Sequence, residues 1–145
     1  MKTLLKTIAP FLLLAMFSYA AVSKLLIFEA FRLQLARQPF PHSIAEALSI
    51  ALPAVEMLTV LLLTFARTRR KGLVLSLALL GAFTCYILLI LVGYWEKVPC
   101  PCGGILNHFS WTQHLLFNVA FLLITLAGLM TTPSPAAKKT SFNYC

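Results

Sequence analysis

Charge is what this 145-residue chain has least of. Charged residues make up 11% of it, and its four acids are all glutamate. A water-soluble domain carries about 25% charged residues. So thin a polar coat excludes a soluble globular fold, because it cannot cover a core. Cysteine is scarce as well, at four residues, and the only close pair is Cys100 and Cys102. That excludes a relay built from two outward cysteine pairs within one chain. The chain also carries no ATPase apparatus and no internal repeat.

Apolar residues fill the space that charge leaves. They make up 60% of the chain and come in four blocks, at about residues 8–28, 44–66, 72–94 and 111–130. Each block has about 20 residues, enough to cross ~30 Å of hydrocarbon as a helix. Helix is the form expected in lipid, where backbone groups have no water to bond. The expected fold is therefore all-α: a four-transmembrane-helix bundle over residues 1–130, followed by a disordered cytoplasmic tail at 131–145 with Pro133, Pro135 and paired lysines. Two helix starts carry capping-box spacing, Ser43 with Glu46 and Ser110 with Gln113. Gly72 is expected to open the third span.

The formal charge of +8 reads as topology rather than as a nucleic-acid patch, because the basic residues mark helix ends. Lys2, Lys6, Arg67, Arg69, Arg70, Lys71, Lys138 and Lys139 fall on one side, and Lys24, Arg32, Arg37 and Lys97 on the other. The excess places the N and C termini in the cytoplasm of a cell with a multi-pass inner-membrane protein. Residues 29–43 and 95–110 then form outward loops, with Tyr94, Trp95 and Trp111 in the aromatic belt. The first block continues past Ser18-Tyr19-Ala20, so an uncleaved first span is expected rather than a signal peptide.

The strongest chemical signal is Val98-Pro99-Cys100-Pro101-Cys102-Gly103-Gly104. Two thiols this close can close a small, strained disulfide, which is easier to reduce and suits exchange. Pro101 restricts the backbone between them, and the two glycines leave an incoming partner room. A structural staple is the bland alternative, but so short a loop removes little chain entropy. Two ordinary free thiols are a second alternative, unusual by chance beside Pro and Gly, and a soft-metal site for Cu(I) or Zn(II), with His108 and His114 nearby, is a third.

Inside the spans, polar residues line up. In the fourth, Trp111, His114, Asn118, Phe121 and Thr125 share a stripe roughly 80° wide that should face the bundle interior. His114 is a candidate to favour thiolate or shuttle a proton, and Asn118 to glue helices. In the second, Glu46, Ser49, Pro53 and Glu56 share a similar stripe. Glu56 lies about 15 Å into its helix, where a bare carboxylate costs several kcal/mol. Lys24 is its candidate partner, either as an interhelical lock or for proton transfer. Cys85, beside Gly81 and Thr84, is expected on a packed face of small residues.

With these residues in view, the chain resembles the MauE/DoxX group of redox-associated membrane proteins over about residues 10 to 130. Ser23-Lys24-Leu25, Leu52-Pro53-Ala54-Val55-Glu56, Cys100-Pro101-Cys102-Gly103-Gly104 and the run from Trp111 through His114 to Phe117-Asn118 carry the resemblance. It implies a four-helix membrane protein. For the MauE type it implies maturation of a disulfide-rich periplasmic enzyme alongside a periplasmic thioredoxin-like partner. Cys100 and Cys102 are then the exchanging thiols, with Lys24, Glu56, His114 and Asn118 matching positions of unassigned role. Gly104 stands where an aromatic is expected in MauE itself, which points to a distinct branch. The expected function is membrane thiol–disulfide relay, with a quinone as the candidate second electron station. A non-enzymatic assembly or export factor and a Cu(I) or Zn(II) handler are the alternatives.

Overall fold

A computed structural model describes residues 2–39, 41–95 and 110–132, with side chains from residue 7 onward. Among these residues the chain is all helix, with no strand: α1 (Lys2–Leu26), α2 (Phe28–Ala36), α3 (His42–Thr64), α4 (Arg69–Leu91) and α5 (Trp111–Thr131). Thr7–Leu26 of α1, together with α3, α4 and α5, is long and apolar enough to cross a membrane. These are the four spans anticipated from the sequence. The residues assigned to a tail lie outside the described residues from 133 onward.

The four long helices pack in a ring in which α1 contacts α3 and α5, and α4 contacts the same two. α1 and α4 touch only lightly across the centre. Leu13 and Phe17 of α1, Leu63 of α3, and Leu73 and Leu80 of α4 form the main buried cluster. In lipid this cluster gains little from burial as such, so close packing has to hold the helices together. Two glycines make the approach possible. A Cβ on Gly72 would stand 2.9 Å from the backbone nitrogen of Leu63, which brings α3 and α4 together. One on Gly128 would stand 3.1 Å from the Ala9 Cβ, where α5 meets α1.

Gly72 therefore does not open the third span. That helix begins at Arg69, and Gly72 lies a turn inside it as a contact surface. The tight turn before it is closed by the Thr68 hydroxyl, which donates to the Leu62 carbonyl at 2.9 Å.

α2 stands where the sequence predicts a loop from residue 29 onward, and it begins at Phe28, the expected end of the first span. The first helix ends at Leu26, Ile27 leaves helical geometry, and a second helix starts at once. Phe31 and Leu35 of α2 pack on Ala45 of α3, with Leu48 and Leu52 alongside. A second correction concerns the start of α3. It begins at His42, directly after Pro41, with no side-chain cap, so the Ser43–Glu46 capping box does not form. Pro41 fixes its own φ and the helix starts two residues earlier than that box would place it, and Glu46 reaches instead toward Arg32 of α2 at 3.7 Å. At α5 the expected box is complete: Gln113 N–H donates to the Ser110 hydroxyl, and Ser110 N–H donates to the Gln113 side chain at 2.8 Å.

Candidate functional site

α1 and α3 are tied by an ion pair between Lys24 Nζ and Glu56 Oε1 at 2.7 Å. Lys24 sits near the end of its helix, where a lysine ordinarily extends toward the membrane surface. Here it turns back along its own helix. Its ammonium also donates to the Ala20 carbonyl at 3.3 Å and stands 5.9 Å from the centre of the Phe31 ring. α2 supplies that ring, so the short helix encloses the cation. Glu56 is 1% exposed, about 21 Å by rise from the start of α3 and about 12 Å from its end. Its second oxygen, Oε2, is buried with no hydrogen-bond partner among the described residues. The pair is thus a cross-link between helices with one acceptor to spare.

The other buried polar groups behave differently. Ser49, Thr59, Ser76 and Thr125 each donate to a carbonyl of their own helix, at 2.7, 2.7, 2.8 and 2.7 Å. A hydroxyl satisfied in this way can be buried in lipid without stranding its donor. Its value to the bundle is small size rather than interhelical bonding. Pro53, also buried, is accommodated without ending α3, which runs unbroken past it.

The inward stripe of α5 is present. Trp111, His114, Asn118 and Phe121 are half-buried and Thr125 is fully buried. The His114 ring lies 6.3 Å from that of Trp111. Asn118 makes no side-chain hydrogen bond to another helix among the described residues. Cys85 departs from expectation as well: it is exposed, and nothing lies within 4 Å of a Cβ built on Gly81. Gly81 and Thr84 are half-buried, so of the three only Cys85 is exposed.

Sequence reasoning missed a cluster at the end of the bundle where α4 finishes and α5 starts. The Tyr86 ring lies 5.7 Å from Trp95 and 6.5 Å from Trp111, and Tyr94 stacks edge-on against Trp95 at 5.1 Å. The Tyr86 hydroxyl donates to Gln38 Oε1, and Gln38 Nε2 donates to the Gln34 carbonyl at 3.3 Å. Gln38 is buried just beyond α2. Phe28, Phe31, Leu35 and Gln38 recur at helical spacing, a signal that favours a helix here but says nothing of the contact with Tyr86.

Cys100 and Cys102, and His108 with them, lie outside the described residues. Trp95 and Trp111, which flank that stretch in the sequence, both rest on Tyr86. Among the described residues no group of His, Cys, Asp or Glu is arranged to hold a metal ion.

No curated protein and no solved structure matches the chain. A family model does, that of methylamine utilisation protein MauE, over residues 1–131. Four membrane-length helices and a match across nine-tenths of the sequence make this a multi-pass membrane protein that belongs to the MauE family.

Proposed function

We propose that the chain is a membrane thiol–disulfide relay in which Cys100 and Cys102 cycle between dithiol and disulfide on the extracytoplasmic side of the inner membrane. The observation that carries this reading is a pair of thiols one residue apart in a segment whose flanks, Trp95 and Trp111, converge on Tyr86. In the sequence Cys100 follows Trp95 by five residues and Cys102 precedes Ser110 by eight.

In the exchange, the Cys102 thiolate attacks one sulfur of a disulfide in a periplasmic thioredoxin-like partner, whose other sulfur leaves as thiolate. Cys100 then attacks Cys102 in the mixed disulfide, closing the Cys100–Cys102 bond and releasing the partner as a dithiol. Two electrons and two protons leave this chain in that direction and return in the reverse one. The relative potentials of the two couples set the direction. Cys102 is assigned the attack because it is nearer the start of α5, whose free N–H groups favour negative charge.

A membrane quinone is the proposed second station. Tyr86, Trp95 and Trp111 give a planar ring surfaces to stack on at the same end of the bundle, and the quinone would supply two-electron chemistry there. The proposed client is a disulfide-bearing periplasmic protein, and the family's description makes methylamine utilisation the first setting to examine. The test is trapping in cells. Cys100→Ser should accumulate a mixed disulfide between Cys102 and a thioredoxin-like protein, released by reductant. Its absence, together with full client maturation in a Cys100→Ser/Cys102→Ser strain, would remove the relay and leave the assembly role.

A further inference from the structure

Where α3 turns into α4, the bundle carries charge that the chain does not balance. Arg67, Arg69, Arg70 and Lys71 fall within five residues. Arg67 and Lys71 are exposed, whereas Arg69 and Arg70 are half-buried. Arg69 Nε and Arg70 Nη1 are sealed from solvent with no hydrogen-bond partner among the described residues. One edge of each guanidinium is therefore held by packing, and the other edges stay at the surface.

The chain offers these groups no carboxylate. α1, α4 and α5 contain no acid at all. On α3, Glu46 lies in the first turns, near the opposite end, and engages Arg32, while Glu56 is taken by Lys24. Glu29 is on α2, and Glu96 follows the far end of α4 in the sequence. The start of α4 adds to the positive field. Thr68 stands at its N-cap but turns its hydroxyl to the Leu62 carbonyl, so no side chain caps the first-turn N–H groups.

We infer that Arg69 and Arg70, at this uncapped helix start, form a site for the phosphate of an anionic phospholipid headgroup. The argument is depth, shape and charge, and it is independent of the relay. Arg69 is the first residue of a membrane-length helix, which puts both guanidinium groups at the edge of the hydrocarbon, where lipid phosphates lie. A guanidinium presents a planar fork of donors that fits two phosphate oxygens at once. A zwitterionic headgroup brings a cation of its own into a field of four positive charges, whereas an anionic one brings only the charge the site lacks.

Native mass spectrometry of the purified full-length protein tests this. The protein is titrated in detergent with phosphatidylglycerol or with phosphatidylcholine of the same acyl chains. Wild type should hold its first phosphatidylglycerol about ten-fold more tightly than its first phosphatidylcholine. Arg69→Gln/Arg70→Gln should cut that preference to about two-fold or less. Lys138→Gln/Lys139→Gln removes the same charge from the C-terminal segment and should leave it unchanged. Arg69→Lys/Arg70→Lys keeps the charge and with it the basic asymmetry that sets topology, so it keeps the test decisive if the glutamine variant does not fold. It should lose about three-fold, because an ammonium lacks the fork.

Equal affinity for the two lipids in wild type overturns the site. Equal losses in the arginine-to-glutamine and lysine-to-glutamine variants overturn it as well, since net charge then accounts for the binding. Displacement of bound phosphatidylglycerol by inorganic phosphate overturns the lipid assignment and makes the arginines a site for a free anion.

Discussion

Lys24 and Glu56, 32 positions apart in the chain, meet at 2.7 Å between two membrane helices, and the carboxylate is sealed from solvent. Lys24 reaches back along its helix to make the contact, which fixes α1 against α3 where lipid offers no other polar partner.

Removing either member alone leaves an uncompensated buried charge, at a cost of about 3–5 kcal/mol. Lys24→Met and Glu56→Leu should each destabilise the bundle by that order, and the double variant should be much closer to the wild type than the sum of the two. Unfolding in mixed micelles measures all three. Additive losses would show that the pair is not the coupled cross-link described.

Two glycines on α4 should respond in opposite ways. A methyl at Gly72 would stand against Leu63 backbone, so Gly72→Ala should cost about 1–3 kcal/mol. Gly81 has open space around it, and Gly81→Ala should be neutral or stabilising by about 0.5–1 kcal/mol, since alanine suits a helix interior better. Thermal unfolding of the two variants side by side checks the contrast.

Ser110 is the cap from which α5 starts, at the return of the cysteine segment. Ser110→Ala should lower stability by about 0.5–2 kcal/mol and raise amide exchange in the first turn of α5 while leaving that of α4 unchanged. Uniform exchange across both helices would contradict a local capping role.

The four spans were legible because lipid imposes one rule on every segment: about 20 apolar residues must be helical. Glu56 and Lys24 were legible as partners for a related reason, since a carboxylate at that depth needs a cation and few are within reach. The α5 stripe was readable from helical spacing. What escaped was set by neighbours rather than by the local sequence. α2 is short and carries Glu29 and Arg32, so it resembles a loop by composition, and what holds it as a helix is the packing of Phe31 and Leu35 on Ala45 of α3. Glu46 had the spacing of a cap, but Pro41 moved the helix start and Arg32 offered it another partner. Cys85 and Gly81 looked like a packing face because small residues in membranes usually are one. The buried small residues of α4 are instead Gly72 and Ser76. Tyr86 gave no signal of its own, since its importance comes from three residues distant in sequence.

The most direct test of the relay is thiol labelling in intact cells. In a chain with Cys85→Ala and Cys145→Ala, a membrane-impermeant maleimide should modify Cys100 and Cys102 only after treatment with a reductant. Chains that retain only Cys145 should stay unlabelled until the cells are lysed. Cys100 and Cys102 that remain unlabelled from outside even after reduction, or that label fully without it under every growth condition, would contradict an exchangeable disulfide on the extracytoplasmic face.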